Sequence, residues 1–159
     1  RRQGVMKGSK EPPTPIDVRR AGMDLLARRE HSRLELRRKL GAREFPDDLI
    51  EQALDALQDD GLLSDQRFAE SFAGSRLRRG QGPQRILAEL RQRGVGDALA
   101  ADAVAELGAD WFAEARAVRA RRFGQAAPAD YKERARQARV LQYRGFSAEQ
   151  AMAATGETD

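Results

Sequence analysis

An internal repeat of 50 residues constrains the fold of this chain more than any other feature of its sequence. Shifting the chain by 50 positions, without a gap, brings apolar positions onto apolar positions, while many surface positions differ. Such self-similarity indicates one structural unit that is used more than once. The superposed pairs are Arg28-Arg29 with Arg78-Arg79, Leu36 with Ile86, Leu40 with Leu90, Phe45 with Val95, Asp47 with Asp97, Leu49 with Leu99, Ala53 with Ala103, Leu54 with Val104 and Leu57 with Leu107.

A third, looser copy follows the first two. The segment from Phe68 to Gly80 resembles the segment from Phe112 to Gly124, and Gly94-Val95 resembles Gly145-Phe146. An extension of about seven residues separates these two matches. We therefore expect the second helix of the last copy to be lengthened, from about Pro128 to Arg144.

Helix start signals divide each copy into three helices. Thr14 precedes a proline at the first helical position, and Ser32 and Ser147 each have Glu or Gln three residues later, which is the spacing of a capping box. Pro46 opens a helix in which apolar residues recur every three or four positions. We expect the helices of the first copy to end near Glu30, near Gly41 and before Gly61, and the last helix of the chain to end near Thr155.

These signals predict an all-α chain of three tandem three-helix repeats, at residues 14–60, 64–108 and 110–156, after a disordered basic arm at residues 1–13. The arm is predicted from its polar residues, its glycines and prolines, and its lack of an apolar period. No segment alternates as a half-buried strand does. Because each repeat has too few apolar residues to stand alone, neighbours must stack, and we expect an elongated, curved body.

Composition argues against several classes of protein. The chain has no cysteine and a single histidine, His31, which excludes disulfides, thiolate nucleophiles and thiolate metal sites. No run approaches the roughly 18 apolar residues of a membrane-spanning helix, and no apolar stretch follows the basic start. We expect a cytoplasmic protein without a cofactor.

Three segments that could carry chemistry are better explained as helix ends. A glutamate and a serine flank His31, but neighbours in sequence seldom have the geometry of a catalytic triad, and a capping or solvated histidine is the better interpretation. Gly80-Gln81-Gly82 lacks the Lys-Ser or Lys-Thr of a phosphate-binding loop and is typical of a helix stop before Pro83. The pairs Asp47-Asp48 and Asp59-Asp60 lack a third metal ligand in register. We therefore predict neither an enzyme nor a metal site.

Basic residues concentrate at corresponding places in the three copies. Part of this pattern is ordinary helix chemistry, because cations at a helix C-terminus complement its dipole, and a GC-rich genome would also raise the arginine content. Repetition would nevertheless align the charges along one face, as contact with a phosphate backbone or an acidic protein groove requires. The positions assigned to this binding face are Arg28, Arg29, Arg37, Arg38, Lys39, Arg76, Arg78, Arg79, Arg85, Arg91, Arg93, Arg116, Arg119, Arg121, Arg122, Lys132, Arg136 and Arg139.

Acidic and aromatic residues refine this assignment. The segment from Glu44 to Asp65 holds eight acids and no base, so we expect it to face away from phosphates or to meet a basic patch on a protein partner. Tyr131 and Tyr143 could stack on bases, whereas the apolar spacing places Phe146 in the core.

An ordered set of motifs runs through the first hundred residues. It comprises Leu25-Leu26-Ala27-Arg28-Arg29-Glu30-His31-Ser32 with Glu35-Leu36 and Lys39-Leu40, Leu54 to Leu57, Gly61-Leu62-Leu63-Ser64-Asp65 with Arg67-Phe68-Ala69, and Gly82-Pro83 with Ile86, Glu89-Leu90 and Gly94-Val95. This set resembles the bacterial RecX proteins, which regulate the RecA recombinase. The resemblance covers roughly residues 15 to 155, and the third copy departs most from the pattern.

The resemblance implies three repeats of three helices and binding within the helical groove of a RecA filament on single-stranded DNA. The family restrains filament growth and lowers the ATP hydrolysis, strand exchange and co-protease activity of RecA, which are functions in DNA repair, recombination and the SOS response. The expected partners are the RecA filament and single-stranded DNA, which the chain alone would bind weakly, and we expect a monomer. The alternative is a general basic DNA-binding helical module that acts by competing for DNA.

Overall fold

All regular structure in the described part of the chain is helical. The computed structural model describes residues 11–156, so residues 1–10 of the predicted arm lie outside the described residues. No strand occurs between residues 11 and 156, and the all-α prediction is confirmed. The helices are α1 (Pro15–Arg28), α2 (Arg33–Ala42), α3 (Asp47–Asp59), α4 (Asp65–Arg78), α5 (Pro83–Gln92), α6 (Asp97–Glu106), α7 (Trp111–Phe123), α8 (Tyr131–Tyr143) and α9 (Ala148–Thr155).

The helices recur with the period that the sequence predicts. Helices α4 and α5 begin and end 50 residues after α1 and α2, and α6 begins 50 residues after α3. Helices α7, α8 and α9 form a third set in the same order. The fold is thus confirmed as three tandem three-helix repeats.

Local sequence accounts for where several helices start. The hydroxyls of Thr14, Ser32 and Ser147 each accept a hydrogen bond from the backbone N–H of the third helical residue. The side chain of that third residue accepts a hydrogen bond from the N–H of the cap. Each pair satisfies two amides that would lack partners at a helix N-terminus, so the three predicted caps are confirmed.

Two helix boundaries differ from the predicted ones. Helix α1 ends at Arg28 instead of near Glu30, because the backbone of Arg29 is extended. Helix α8 begins at Tyr131 instead of near Pro128, because the carboxylate of Asp130 caps its first turn. The extension in the third repeat is therefore shared: α8 has 13 residues against 10 in α5, and the loop before α8 takes up the rest.

The described chain divides after Asp65 into two compact units, each with its own apolar core. In the first unit α1, α2 and α3 pack around a cluster that includes Leu54. The second unit contains repeats 2 and 3, with one cluster around Leu90 and another around Phe146. The indole of Trp111 packs against both clusters. Leu54 and Leu90 are fully buried and Phe146 nearly so, which confirms their predicted core positions.

His31 differs from its predicted environment. Its imidazole is 1 % exposed and lies inside the first unit, so it is neither a cap nor a solvated side chain. Its Nδ1 is 3.0 Å from the carbonyl oxygen of Arg29, and its Nε2 is 3.1 Å from Nζ of Lys39. The adjacent residue Ser32 provides the cap of α2 instead.

Candidate functional site

The second unit contains a groove lined mainly by arginines. It consists of two adjoining cavities of about 610 and 480 Å³ that share Arg122 and Arg144. Its walls are the C-terminal ends of α4, α7 and α8 with the start of α5, and none of the described acidic residues lines it. We name it the basic groove, and its arginines are Arg78, Arg79, Arg85, Arg121, Arg122, Arg136, Arg139 and Arg144.

Helix ends bring these arginines together. Arg78 is the last residue of α4, and Arg121 and Arg122 lie in the last turn of α7. Cations are favourable there because the last carbonyls of a helix carry partial negative charge. Since α4 and α7 open successive repeats within one unit, the same local preference places both clusters at one cavity.

A backbone junction between repeats 2 and 3 holds the groove in place. The N–H of Gly82 donates to the carbonyl of Arg144 at 2.9 Å, and the N–H of Gln84 donates to the carbonyl of Gly145 at 2.9 Å. Nη1 of Arg144 donates to the carbonyl of Arg79 at 3.3 Å. These three hydrogen bonds tie the loop before α5 and its first turn to the α8–α9 turn.

Only glycine fits at both sides of this junction. A Cβ at Gly82 would lie 2.4 Å from the backbone carbon of Gly145, and a Cβ at Gly145 would lie 2.3 Å from Cβ of Arg85. Gly145 also has a φ of +108°, which side chains disfavour. Sequence reasoning missed this junction, although a signal exists: Gly82 stands where repeat 1 has the capping residue Ser32, and α5 has no side-chain cap.

Most of the charge in the basic groove is uncompensated. Within residues 11–156, five of its guanidinium groups make no ion pair and no side-chain hydrogen bond, and all five residues are exposed. Like charges held this close raise the local positive potential, which favours binding of an anion. The five are Arg78, Arg79, Arg121, Arg122 and Arg139.

An aromatic ring stands beside these charges. The side chain of Tyr143 is 78 % exposed and lies on the wall of the second cavity. The guanidinium carbon of Arg85 is 5.3 Å from the centre of the Tyr143 ring, within the range of a cation–π contact. Tyr131, the other predicted stacking residue, does not line the basic groove.

Other predicted arginines of the second unit are neutralised by acids of their own repeat. Nε of Arg76 lies 3.1 Å from Oε1 of Glu89, in an orientation unsuited to a hydrogen bond, and Nε of Arg85 lies 3.0 Å from Oε2 of the same carboxylate. Arg91 pairs with Asp97 at 3.2 Å. These pairs reduce what the three arginines can offer to an anionic ligand.

The remaining predicted positions in the second unit have varied surroundings. Arg136 lines the groove but pairs with Glu133 at 2.6 Å, and this contact lowers the pKa of Glu133 to about 2. The guanidinium of Arg93 lies over the ring of Phe72, at 4.6 Å from its centre. Arg116 and Lys132 are exposed and lie outside the basic groove.

Arg119 requires a correction. Its side chain is buried, and its guanidinium donates to the Gln137 side chain and to the carbonyls of Gly124 and Ala126. These hydrogen bonds hold the loop between α7 and α8 against the two helices. We therefore remove Arg119 from the binding face, because its donors are already used inside the fold.

The basic residues of the first unit are partly compensated. Arg29 pairs with Glu35 at 3.1 Å, and Lys39 lies against His31. Nε of Arg37 is 2.6 Å from Oε2 of Glu51, and this hydrogen bond is the main cause that lowers the pKa of Glu51 to about 2. The other two predicted positions, Arg28 and Arg38, are exposed.

Three of the eight acids between Glu44 and Asp65 pair with arginines of the first unit. Arg33 binds both Glu51 and Asp55 of α3, and Arg19 of α1 binds Asp60. The role of these three acids within the fold is to fasten α1 and α2 to α3 and the turn after it. Whether the segment faces away from phosphates or meets a basic patch on a partner stays a prediction.

Family models match the whole repeat region. The models for the first, second and third three-helix domains of RecX match residues 19–57, 64–104 and 109–155. The chain belongs to the RecX family. RecX proteins are regulatory proteins and not a family of enzymes, and the resemblance seen in the motifs is confirmed.

Curated bacterial relatives are similar to the chain over most of their length. The regulatory protein RecX of Halorhodospira halophila is 51 % identical over 142 residues, which cover 89 % of this chain and 88 % of the relative. The regulatory protein RecX of Ectopseudomonas mendocina is 52 % identical over 133 residues, which cover 84 % and 89 %.

Solved RecX structures share the fold. The crystal structure of RecX from Lactobacillus salivarius superposes with a TM-score of 0.73 at 22 % identity, covering 88 % of this chain and 93 % of that one. A second crystal structure of regulatory protein RecX gives a TM-score of 0.72 at 20 % identity, covering 96 % and 82 %. Between residues 11 and 156, no helix is long and apolar enough to cross a membrane.

Proposed function

We propose that this RecX-family chain is a negative regulator of RecA that binds in the groove of the RecA–single-stranded DNA filament. Binding there would restrain filament extension and lower ATP hydrolysis, strand exchange and co-protease activity. The observation that supports this proposal is the basic groove, where five exposed arginines have no acidic partner within the described residues. Such a concentration of positive charge suits a ligand with repeated negative charges. We further propose that the protein acts in the cytoplasm as a monomer.

The basic groove predicts which substitutions remove regulation. Replacing Arg78 and Arg79 together by glutamate, or Arg121 and Arg122 together, should weaken inhibition of the RecA–DNA ATPase by at least about tenfold, because several charge-assisted contacts are lost. The measurement is a titration of each variant into a RecA ATPase assay on single-stranded DNA. Circular dichroism should show unchanged helicity, since all four side chains are exposed.

A matched control separates this site from a general charge effect. Arg20 and Arg43 are exposed arginines of the first unit outside the assigned binding face, and their replacement by glutamate changes the net charge by the same amount. That variant should inhibit as the parent does. Equal inhibition by the parent and by both basic-groove variants would contradict the proposal.

Competition for DNA is the second candidate function, and the same groove favours it as well. Competition requires tight binding to naked single strands. Its affinity should fall steeply as the salt concentration rises, because releasing counterions from the DNA then gains less free energy. Filament inhibition at protein concentrations where fluorescence anisotropy detects little binding to a naked oligonucleotide would exclude competition. Equal potency in the two assays, with the same salt dependence, would favour it over filament binding.

A further inference from the structure

A third cavity, of about 570 Å³, lies between α8 and α9. It shares only Arg139 with the basic groove. Tyr131 and Met152 line it with side chains 78 % and 64 % exposed, and alanines of both helices line it as well. We name it the α8–α9 groove, and the residues used below are Tyr131, Arg134, Ala138, Arg139, Met152 and Gly156.

The first repeat shows what this position holds elsewhere in the chain. Helix α8 ends 101 residues after α2, and α9 begins 101 residues after α3, so positions in the two repeats correspond one to one. Arg134 corresponds to Arg33, and Met152 corresponds to Glu51. By the same register Ala138 replaces Arg37, and Gly156 replaces Asp55.

Ion pairs close the corresponding surface in repeat 1. Nη2 of Arg33 lies 3.1 Å from Oε1 of Glu51 and 2.8 Å from Oδ1 of Asp55. Nε of Arg37 lies 2.6 Å from Oε2 of Glu51. The third repeat has methionine, alanine and glycine at the positions of Glu51, Arg37 and Asp55, so it lacks three of the four charged side chains in these ion pairs.

The third repeat keeps an arginine, Arg134, at the position of Arg33. It has neither of the two acids that pair with Arg33. Within residues 11–156, the guanidinium of Arg134 makes no ion pair, and its residue is exposed. The change from Glu51 to Met152 adds a large apolar side chain beside it, and Ala138 opens space in front. The surface thus places a guanidinium group that has no ion pair beside aliphatic side chains.

We propose that the α8–α9 groove binds an acidic peptide segment of a partner protein, with a carboxylate on Arg134 and a large apolar side chain against Met152 and the alanines. The partner would supply the carboxylate that Glu51 and Asp55 supply in the first repeat. A volume of about 570 Å³ lies within the range of ligand-binding pockets. Peptide binding here would be a function in addition to the RecA regulation proposed above, and it does not require the basic groove.

The surroundings favour a peptide over a nucleic acid. The alanines and Met152 present methyl groups and a thioether, which pack well against leucine or methionine side chains. Tyr131 is the only aromatic residue that lines the groove among the described residues, and a base stack extends over several rings. Binding of nucleic acid in this groove is the alternative, and the experiment below can detect it.

The probe is a short fluorescein-labelled peptide built from leucine and glutamate, titrated with the full chain and followed by fluorescence anisotropy. We expect saturable binding that Arg134→Gln weakens by roughly tenfold, because a charge-assisted hydrogen bond is lost. Met152→Glu should weaken it by a similar factor, because the new carboxylate occupies Arg134 as Glu51 occupies Arg33. Arg20→Gln, an exposed arginine on α1, should bind as the parent does.

Two further measurements locate the site and test its independence. Peptide-induced shifts of backbone amide resonances should concentrate at Ala138, Met152 and their neighbours. The Arg78→Glu, Arg79→Glu double variant should retain peptide binding, so failure of the RecA proposal leaves this one standing. The assay contains neither RecA nor DNA.

Three outcomes would overturn the proposal. The first is peptide binding that Arg134→Gln and Met152→Glu leave unchanged. The second is a set of amide shifts confined to the basic groove. The third is displacement of the peptide by an oligothymidylate whose own binding is lost in the same two variants, which would assign the groove to nucleic acid. Both substituted side chains are exposed, so each variant should fold, and circular dichroism checks this.

Discussion

At the scale of single residues, His31 is a buried titratable group whose neighbours fix its protonation. Nδ1 donates to the carbonyl of Arg29, which leaves Nε2 to accept from the ammonium group of Lys39. The ring is therefore neutral, and a second proton would place a cation against Lys39. Burial is the main cause that lowers the pKa of His31 below its usual 6.5, and the nearby Arg29 and Lys39 charges act in the same direction.

This arrangement predicts a pH-dependent stability of the first unit. Because the folded chain binds the imidazole proton less readily than the unfolded chain, stability is full above about pH 6.5 and falls as the pH drops toward the folded-state pKa. Urea unfolding at several pH values between about 6 and 8 should show the start of this loss, above the range where glutamates of the unfolded chain gain protons. His31→Gln should flatten the profile in that range, and since the chain has a single histidine, a slope that persists in this variant would contradict the assignment.

At the scale of elements, the contact of α5 with the α8–α9 turn decides where the basic groove forms. The two main-chain hydrogen bonds at Gly82 and Gln84 join repeats 2 and 3 without any side chain. The close approach that they require leaves no room for a Cβ at Gly82. Arg144 is thereby held beside Arg79, and the arginine clusters of two repeats share one cavity.

Adding a single methyl group at Gly82 should therefore lower both the stability of the second unit and the inhibition of RecA. Gly82→Ala should lower the free energy of unfolding of the second unit by about 1 to 3 kcal/mol, because the backbone must shift to relieve the clash. Urea unfolding followed by the fluorescence of Trp111 measures this, and RecA inhibition should weaken in parallel.

Gly96→Ala is the matched control for this substitution. Gly96 precedes α6 in the same unit, its φ is −63°, and a Cβ there would meet no atom within 4 Å. Its replacement should cost only about 0.5 to 1 kcal/mol, because alanine is a poorer helix cap than glycine. Equal losses in the two glycine variants would show that helix capping, and not the junction, determines the effect.

At the scale of the whole molecule, three sequence repeats form two compact units. Repeat 1 has its own core, whereas repeats 2 and 3 are joined by Trp111, which packs against the clusters of both. Trp111 is the only tryptophan of the chain, so its fluorescence reports on the second unit.

Core truncations should accordingly act on one unit each. Leu54→Ala should destabilise the first unit and Leu90→Ala the second, by roughly 2 to 5 kcal/mol, because each removes a fully buried side chain and leaves a cavity. Unfolding of Leu90→Ala should shift the transition seen by Trp111 fluorescence. A fluorescence transition that Leu54→Ala shifts as strongly would contradict independent unfolding of the two units.

The sequence by itself determined the period, the order of the helices, three of their caps and the buried apolar positions. These features depend on residues close together in the chain, such as Ser32 with Glu35, or on apolar spacing along one helix face, as at Leu54 and Phe146. Repetition of the same signals reinforced each assignment. The elongated, curved body expected from stacked repeats stays a prediction.

Only the tertiary structure decided which charges are available. Arg37 and Arg121 are both arginines on helices. Arg37 lies beside Glu51 of another helix, whereas Arg121 faces other arginines. Burial likewise separates Arg119 from its neighbours on α7 and removes His31 from solvent. Charge pairing and burial depend on distances of a few ångströms between helices, and local sequence patterns do not specify those distances.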